Sequence, residues 1–339
     1  MMNGTAVVWL QFGACSALIA VAGTKLSRYA DVIADKTGLS GNWSGLMLLA
    51  TVTSLPELAT GISSVTIADA PNIAVGDVLG SCVFNLAILI VLDFLHRGES
   101  VYRRANQGHI LSAGFGIVLI GFAGLSLLLG DKAAALAIGH IGASTPIIVM
   151  LYVIAMRAVF VYERAQTRKF AETIADRYPQ LTLRRAVIRY AAAAIVIVAA
   201  GIWLPFIGVQ LASVMGWHKT FVGTLFIAAA TSLPELAVTV AALRIGALDM
   251  AIGNLLGSNL FNIVILALDD LFFLKGPLLA RVSSLHAMSA LSAVVMTGIV
   301  IVGLLYRPRT RVFGAIGWIS MGLLTVYLLN AFVLYLYGE

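Results

Sequence analysis

Two carboxylates lie where carboxylates are costly. Glu57 and Glu235 each follow a proline, inside an apolar stretch long enough to cross a bilayer. The letters around them are the same: Thr53-Ser54-Leu55-Pro56-Glu57-Leu58 recurs as Thr231-Ser232-Leu233-Pro234-Glu235-Leu236. Proline cannot donate to the carbonyl one turn back, and its ring pushes that carbonyl aside. The helix is expected to break near Val52-Thr53-Ser54, and again near Ala230-Thr231-Ser232, turning freed carbonyls and hydroxyls inward. Such backbone is tolerated at membrane depth only where it is buried in protein or lines a wet cavity. A lone proline more often just kinks a helix. The same Thr, Ser, Pro and Glu kept twice outweigh that reading, and an intramembrane ionisable residue marks a functional site by default.

A second shared motif follows one hydrophobic segment later. It reads Gly76-Asp77-Val78-Leu79-Gly80-Ser81-Cys82-Val83-Phe84-Asn85 and Gly253-Asn254-Leu255-Leu256-Gly257-Ser258-Asn259-Leu260-Phe261-Asn262. Ser81 and Asn85 share a helix face, as do Ser258 and Asn262. Gly76 with Gly80, and Gly253 with Gly257, let helices approach closely. The candidate ligands are all oxygens. Cys15 and Cys82 lie in apolar spans and read as small buried hydrophobes. The donor set suits hard cations such as Ca²⁺ or Na⁺. Ca²⁺ takes about six to eight oxygens, which both glutamates, the serine–asparagine faces and freed carbonyls can supply. Asp77 is expected to hydrogen-bond behind the ligands, because Asn254 fills its matching place without charge. Asp93, Asp269 and Asp270 fall near span ends and are expected at the membrane interface. His109 and His286, at span edges, are expected to be structural; His140 lies within the fifth span with no acidic partner nearby in sequence.

These residues need a membrane scaffold to position them. The chain is 60% hydrophobic and 11% charged, with mean hydropathy +0.97. A soluble domain carries about a quarter charged residues, so the bilayer is the solvent here. The formal charge of +6 does not point to nucleic acid, because the basic residues sit in short loops between apolar spans. Apolar spans fall at 6–26, 43–66, 72–94, 108–129, 133–160, 186–210, 220–243, 248–273, 284–305 and 312–336. The first has no basic stretch before it and reads as a transmembrane helix rather than a cleaved signal. An offset of 178 maps Gly23 to Gly201, Gly45 to Gly223 and Glu57 to Glu235; an offset of 177 then maps Gly80 to Gly257, Asn85 to Asn262, Asp93 to Asp270 and His109 to His286. The expected fold is an all-α membrane protein: ten transmembrane helices in two inverted five-helix repeats, 1–162 and 186–339, with broken helices at the central ion site. A cytoplasmic linker, 163–185, joins them. A half with an odd number of spans starts and ends on opposite sides, which makes the second half inverted. With both termini outside, eighteen Lys and Arg fall inside and four outside (Lys132, Lys219, Lys275, Arg281), as the positive-inside rule requires.

Thr-Ser-Leu-Pro-Glu-Leu followed by Gly-Asn-x-x-Gly-Ser-Asn-x-x-Asn, twice and inverted, resembles the alpha-repeats of the calcium/cation antiporter superfamily, prokaryotic sodium/calcium exchangers in particular. The resemblance is most specific at 50–93 and 228–270. It implies that Glu57 and Glu235 are the main Ca²⁺ ligands. Thr53, Ser54, Ser81, Asn85, Thr231, Ser232, Ser258 and Asn262 would complete the Ca²⁺ and Na⁺ sites. It also implies that the long first and sixth helices slide past a fixed bundle. Asp77 and Cys82 depart from the pattern, which has Asn at both positions. Asn262 stands where potassium-dependent members carry Asp.

The expected function is exchange of Ca²⁺ for Na⁺ across the cytoplasmic membrane by alternating access, with no cofactor beyond the transported ions and the lipid bilayer as partner. The alternatives are an H⁺/Ca²⁺ exchanger, since buried glutamates can load protons, and a cation channel. No His-Glu-x-x-His or nucleophile-and-base pattern suggests an enzyme.

Overall fold

A computed structural model describes residues 2–37, 49–96, 99–130, 132, 137–167, 180–308, 311–312 and 316–338. The chain is mostly helical. Its longest elements are α1 (Met2–Lys36) and α6 (Leu183–Met215), of 35 and 33 residues. At about 1.5 Å rise per residue both outreach a hydrocarbon core of ~30 Å, so they tilt or project. They pack along each other. The other helices of twelve residues or more among the described residues are α2 (Leu55–Thr66), α3 (Pro71–Leu95), α4 (His109–Leu129), α5 (Ser144–Thr167), α7 (Leu233–Arg244), α8 (Leu248–Phe272), α9 (His286–Tyr306) and α10 (Trp318–Tyr337). Among the described residues eight helices can cross a membrane by length and composition; Lys219–Thr231 with α7, bent by 43°, makes a ninth span. α3 and α8 are the most enclosed. Exposed Leu10, Val118, Leu128, Val153, Ile195 and Phe332 would be a liability in water and suit lipid.

Several expected boundaries shift. Of the span 43–66, residues 43–48, Gly45 included, lie outside the described residues, while 49–53 are helical. The fifth span was expected from 133. The helix instead starts at Ser144, because Gly139 (φ +66°) turns the chain and Ser144-Thr145-Pro146 opens a helix. His140 is therefore in a turn, 3.0 Å from the Leu271 carbonyl. α5 runs into the expected linker as far as Thr167, and α6 begins at Leu183; 168–179 lie outside the described residues.

The aspartates expected at the interface are buried instead, because loops fold back over the span ends. Asp93 accepts from the backbone N–H groups of Val101 (3.2 Å) and Gly317 (2.7 Å) and from Ser320 Oγ (2.8 Å). Asp270 accepts from Leu278 N (2.6 Å), Gly142 N (2.9 Å) and Thr145 Oγ1. The two sets match position by position along the repeat, and each ties a central helix to the start of α10 or α5. The histidines act as structural pins, as expected. His109 Nε2 lies 3.1 Å from Asp249 Oδ1, and His286 Nε2 lies 3.2 Å from Asn72 Oδ1.

The long helices reach across to the opposite motif. A Cβ on Gly23 would stand 2.3 Å from Pro234 Cγ, and one on Gly201 would stand 2.7 Å from Ala59 Cβ and 3.2 Å from Pro56 O. Each long helix thus rests a glycine on the proline turn of the other half. Outside the spans, the Lys275 ammonium bonds Asp69 at 2.7 Å and holds its carboxyl below the usual carboxylate range.

Candidate cation site

Both motif copies interrupt their helix at the serine. Ser54 (φ −85°, ψ 13°) and Ser232 (φ −84°, ψ 7°) leave helical geometry, and α2 and α7 restart behind them with proline in the first turn. There the missing N–H costs nothing. Glu57 and Glu235 fall in the same first turns, at the positive end of the helix dipole.

All ten expected ligand residues are fully buried: Glu57, Glu235, Thr53, Ser54, Ser81, Asn85, Thr231, Ser232, Ser258 and Asn262. Eight of them form two matched hydroxyl–carboxylate groups, Glu235 with Ser54, Ser258 and Thr53 and Glu57 with Ser232, Ser81 and Thr231, and the bonds of each cross between the motifs. Ser54 Oγ donates to Glu235 Oε1 (3.3 Å) and Ser232 Oγ to Glu57 Oε1 (3.2 Å). Ser81 Oγ reaches Glu57 Oε1 at 3.4 Å and Ser258 Oγ reaches Glu235 Oε1 at 3.5 Å. Thr53 and Ser258 hydroxyls lie 3.3 Å apart, Thr231 and Ser81 3.4 Å. Glu57 Oε2, Glu235 Oε2 and Asn85 Oδ1 accept no hydrogen bond among the described residues. The two carboxyls are near enough to act on each other. A pair of buried like charges with free oxygens attracts a cation. Among the described residues no three His, Cys, Asp or Glu side chains gather as metal ligands, so hydroxyls and amides must complete any coordination.

Asp77 is buried beside the Glu57 group and accepts from Thr231 Oγ1 at 2.8 Å. Its opposite number Asn254 makes no side-chain bond among the described residues. The sequence reading missed Asn259 as a structural partner. It accepts from Asn85 Nδ2 (3.0 Å) and donates to the Cys82 carbonyl (3.1 Å), bridging α3 and α8. It also missed the π-helical turn Val222–Ile227, onto which α3 packs its glycines: a Cβ on Gly80 would meet Thr224 O at 2.3 Å.

The profile of the sodium/calcium exchanger protein family matches residues 7–161 and 185–336. The chain belongs to that family. The family is one of transporters rather than enzymes, and this member is a multi-pass membrane antiporter of the calcium/cation superfamily. Inner membrane protein YrbG of Escherichia coli is 26% identical over 255 residues, which is 73% of this chain and 74% of that protein. Sodium/calcium exchanger MaX1 of Methanosarcina acetivorans is 49% identical over 63 residues, 18% of each. The crystal structure of the H⁺/Ca²⁺ exchanger CAX superposes with TM-score 0.70 at 16% identity, covering 98% of this exchanger-family chain and 82% of that one. The sodium-calcium exchanger NCX_Mj gives TM-score 0.60 at 19% identity, covering 97% and 98%. These likenesses establish the fold.

Proposed function

We propose that the protein exchanges Ca²⁺ for Na⁺ across the cytoplasmic membrane by alternating access, at a site formed by Glu57, Glu235, Thr53, Ser54, Ser81, Asn85, Thr231, Ser232, Ser258 and Asn262. The observation that carries this is the crossing of ligands: Ser54 serves Glu235 and Ser232 serves Glu57. A site shared between two halves opens to one side or the other as its surroundings shift. Two carboxylates give a charge matched by one Ca²⁺ or by smaller cations one at a time, and competition for it is a basis for exchange.

The scaffold we propose is ten spans in two inverted units, 1–162 and 186–339, joined by a cytoplasmic linker at 163–185, with both termini outside. The interrupted helix over 49–66 supplies the span beyond the nine, and the basic residues favour this orientation. Cysteine at Lys132 or Lys219 should then label from outside and at Arg104 from inside. Outside labelling at Arg104 would reverse the orientation. Arg177, a further inside position, lies outside the described residues.

The coupling ion is tested by radiolabelled Ca²⁺ flux in proteoliposomes, comparing an imposed Na⁺ gradient with a pH gradient. Na⁺-driven uptake is expected. Uptake driven by pH alone would favour the H⁺/Ca²⁺ reading, which the extra buried carboxyl of Asp77 beside the glutamates supports. Flux without any counter-ion would mean a channel.

A further inference from the structure

Asp269 is a buried carboxyl that no part of the exchange cycle above uses. The repeat puts Leu92 in its matching place, so the acid belongs to one half only. Its neighbour Asp270 is saturated with donors. Asp269, also fully buried, has no hydrogen-bond partner for either oxygen among the described residues. The carboxyl presses on α2 at Gly61, where a Cβ would stand 2.4 Å from Oδ2. Gly61 is one helical turn, about 6 Å, past Glu57 on the same face. Thr60 and Ser64 flank it with buried hydroxyls that make no bond among the described residues. The charged groups acting on Asp269 are acidic: Asp77 on α3 and Asp270 on its own helix. No basic side chain pairs with it among the described residues.

A buried carboxylate with neither donor nor counter-charge takes up a cation or a proton. One carboxyl and two hydroxyls fall well short of the roughly six to eight oxygens Ca²⁺ needs. Gly61 closes one side of the carboxyl, whereas a proton needs a single oxygen. We infer that Asp269 is a proton-binding site between Glu57 and the Asp69–Lys275 face, and that its loading makes the central site sensitive to pH on that face. The inference rests on Glu57 being a central cation ligand. Losing the proton to water on that face leaves a negative charge against Gly61 of α2, the helix that carries Glu57, and strengthens cation binding. Regaining it removes the charge.

The test is radiolabelled Ca²⁺ exchange in proteoliposomes, with pH varied only on the Asp69–Lys275 side. Apparent Ca²⁺ affinity of the wild type should rise on the order of tenfold as that side is made alkaline. Asp269→Asn, which imitates the protonated form, should keep the acid-side affinity at every pH. The infrared carbonyl band of a protonated carboxylic acid should be weaker in Asp269→Asn than in wild type. An Asn variant with the wild-type pH profile overturns the inference, and so does a folded Asn variant that no longer transports. If Asn does not fold, Asp269→Leu, the residue of the other half, is read in the same way. Glu57→Gln run alongside separates the two ideas. If it transports normally, the central site is wrong; if it is inactive while Asp269→Asn keeps its pH profile, only the proton site falls.

Discussion

The two motif copies agree in some places and differ in others, and the pattern has a physical meaning. They agree where serines and glycines cross from one half to the glutamate and proline of the other. Ser54 with Glu235 matches Ser232 with Glu57, and Gly23 on Pro234 matches Gly201 on Pro56 and Ala59. They agree again at the anchors Asp93 and Asp270. They differ around these bonds: Asp77 against Asn254, Cys82 against Asn259, Leu92 against Asp269. Under the proposed exchange, a site reached from two sides would need equal charge and hydroxyls from each half, and the surrounding residues would set affinity and pH response separately.

The most severe way to break this equality is to remove one carboxylate. Glu57→Gln and Glu235→Gln should each abolish Ca²⁺ exchange in proteoliposomes while the purified protein keeps its helical circular dichroism. Either change halves the countercharge and leaves the shape. Near wild-type flux in one of them would mean that the crossed pair does not act as one site.

The anchors should break stability instead. Asp93→Asn and Asp270→Asn each turn an amide NH₂ toward donors that were bonding a carboxylate. A cost of about 2–4 kcal/mol is expected for each, since hydrogen bonds to a charged group are worth about 1.5–3 kcal/mol and the donors are left buried. Thermal unfolding in detergent should show comparable losses for both. A large loss in only one would show that the anchors are matched in geometry but not in energy.

What could be read from sequence was the chemistry that is local. Pro56 and Pro234 dictate a break within a turn of themselves, and the helices do break at Ser54 and Ser232. The offsets that pair Asp93 with Asp270 and His109 with His286 also held, because equal letters made equal bonds. Burial was not legible. Asp93, Asp269 and Asp270 stand near span ends, where a linear reading puts water. It is Gly142 and Gly317, far along the chain, that fold over Asp270 and Asp93, with Leu278 turning back from just past Asp270. The π turn Val222–Ile227 and the bridging role of Asn259 depend on α3 lying against them, which no spacing within one segment encodes.

Asp77 probes the first unequal pair more gently. It bonds Thr231, whereas Thr53, the matching hydroxyl, bonds the Ala50 carbonyl (3.1 Å) and Ser258 and has the uncharged Asn254 in place of an aspartate. Asp77→Asn gives the first half the residue that the second half has. Exchange should persist, with apparent Ca²⁺ affinity weaker by less than about tenfold, roughly 1.4 kcal/mol. Flux measured against external Ca²⁺ decides it. A loss as complete as in Glu57→Gln would make Asp77 a ligand itself.

The smallest effect is expected at Cys82, where symmetry can be restored rather than broken. Asn259 accepts from Asn85 Nδ2 and donates to the Cys82 carbonyl. The mirror of that arrangement would have residue 82 accept from Asn262 Nδ2 and donate to the Asn259 carbonyl. The Cys82 thiol already reaches the Asn259 carbonyl at 3.9 Å, but cysteine has no amide oxygen for Asn262, whose side-chain polar atoms both go without a hydrogen bond among the described residues. Cys82→Asn supplies the missing partner at a position whose mirror already holds Asn. Each new bond is worth about 0.5–1.5 kcal/mol net, against a similar cost of fitting a slightly larger side chain. Thermal stability should therefore change by no more than about 1 kcal/mol, and in the stabilising direction if Asn262 is fixed. Ca²⁺ affinity should shift with it, because a fixed Asn262 amide presents its oxygen to the site more of the time. A variant destabilised by several kcal/mol would show that the halves differ here in space as well as in residue type.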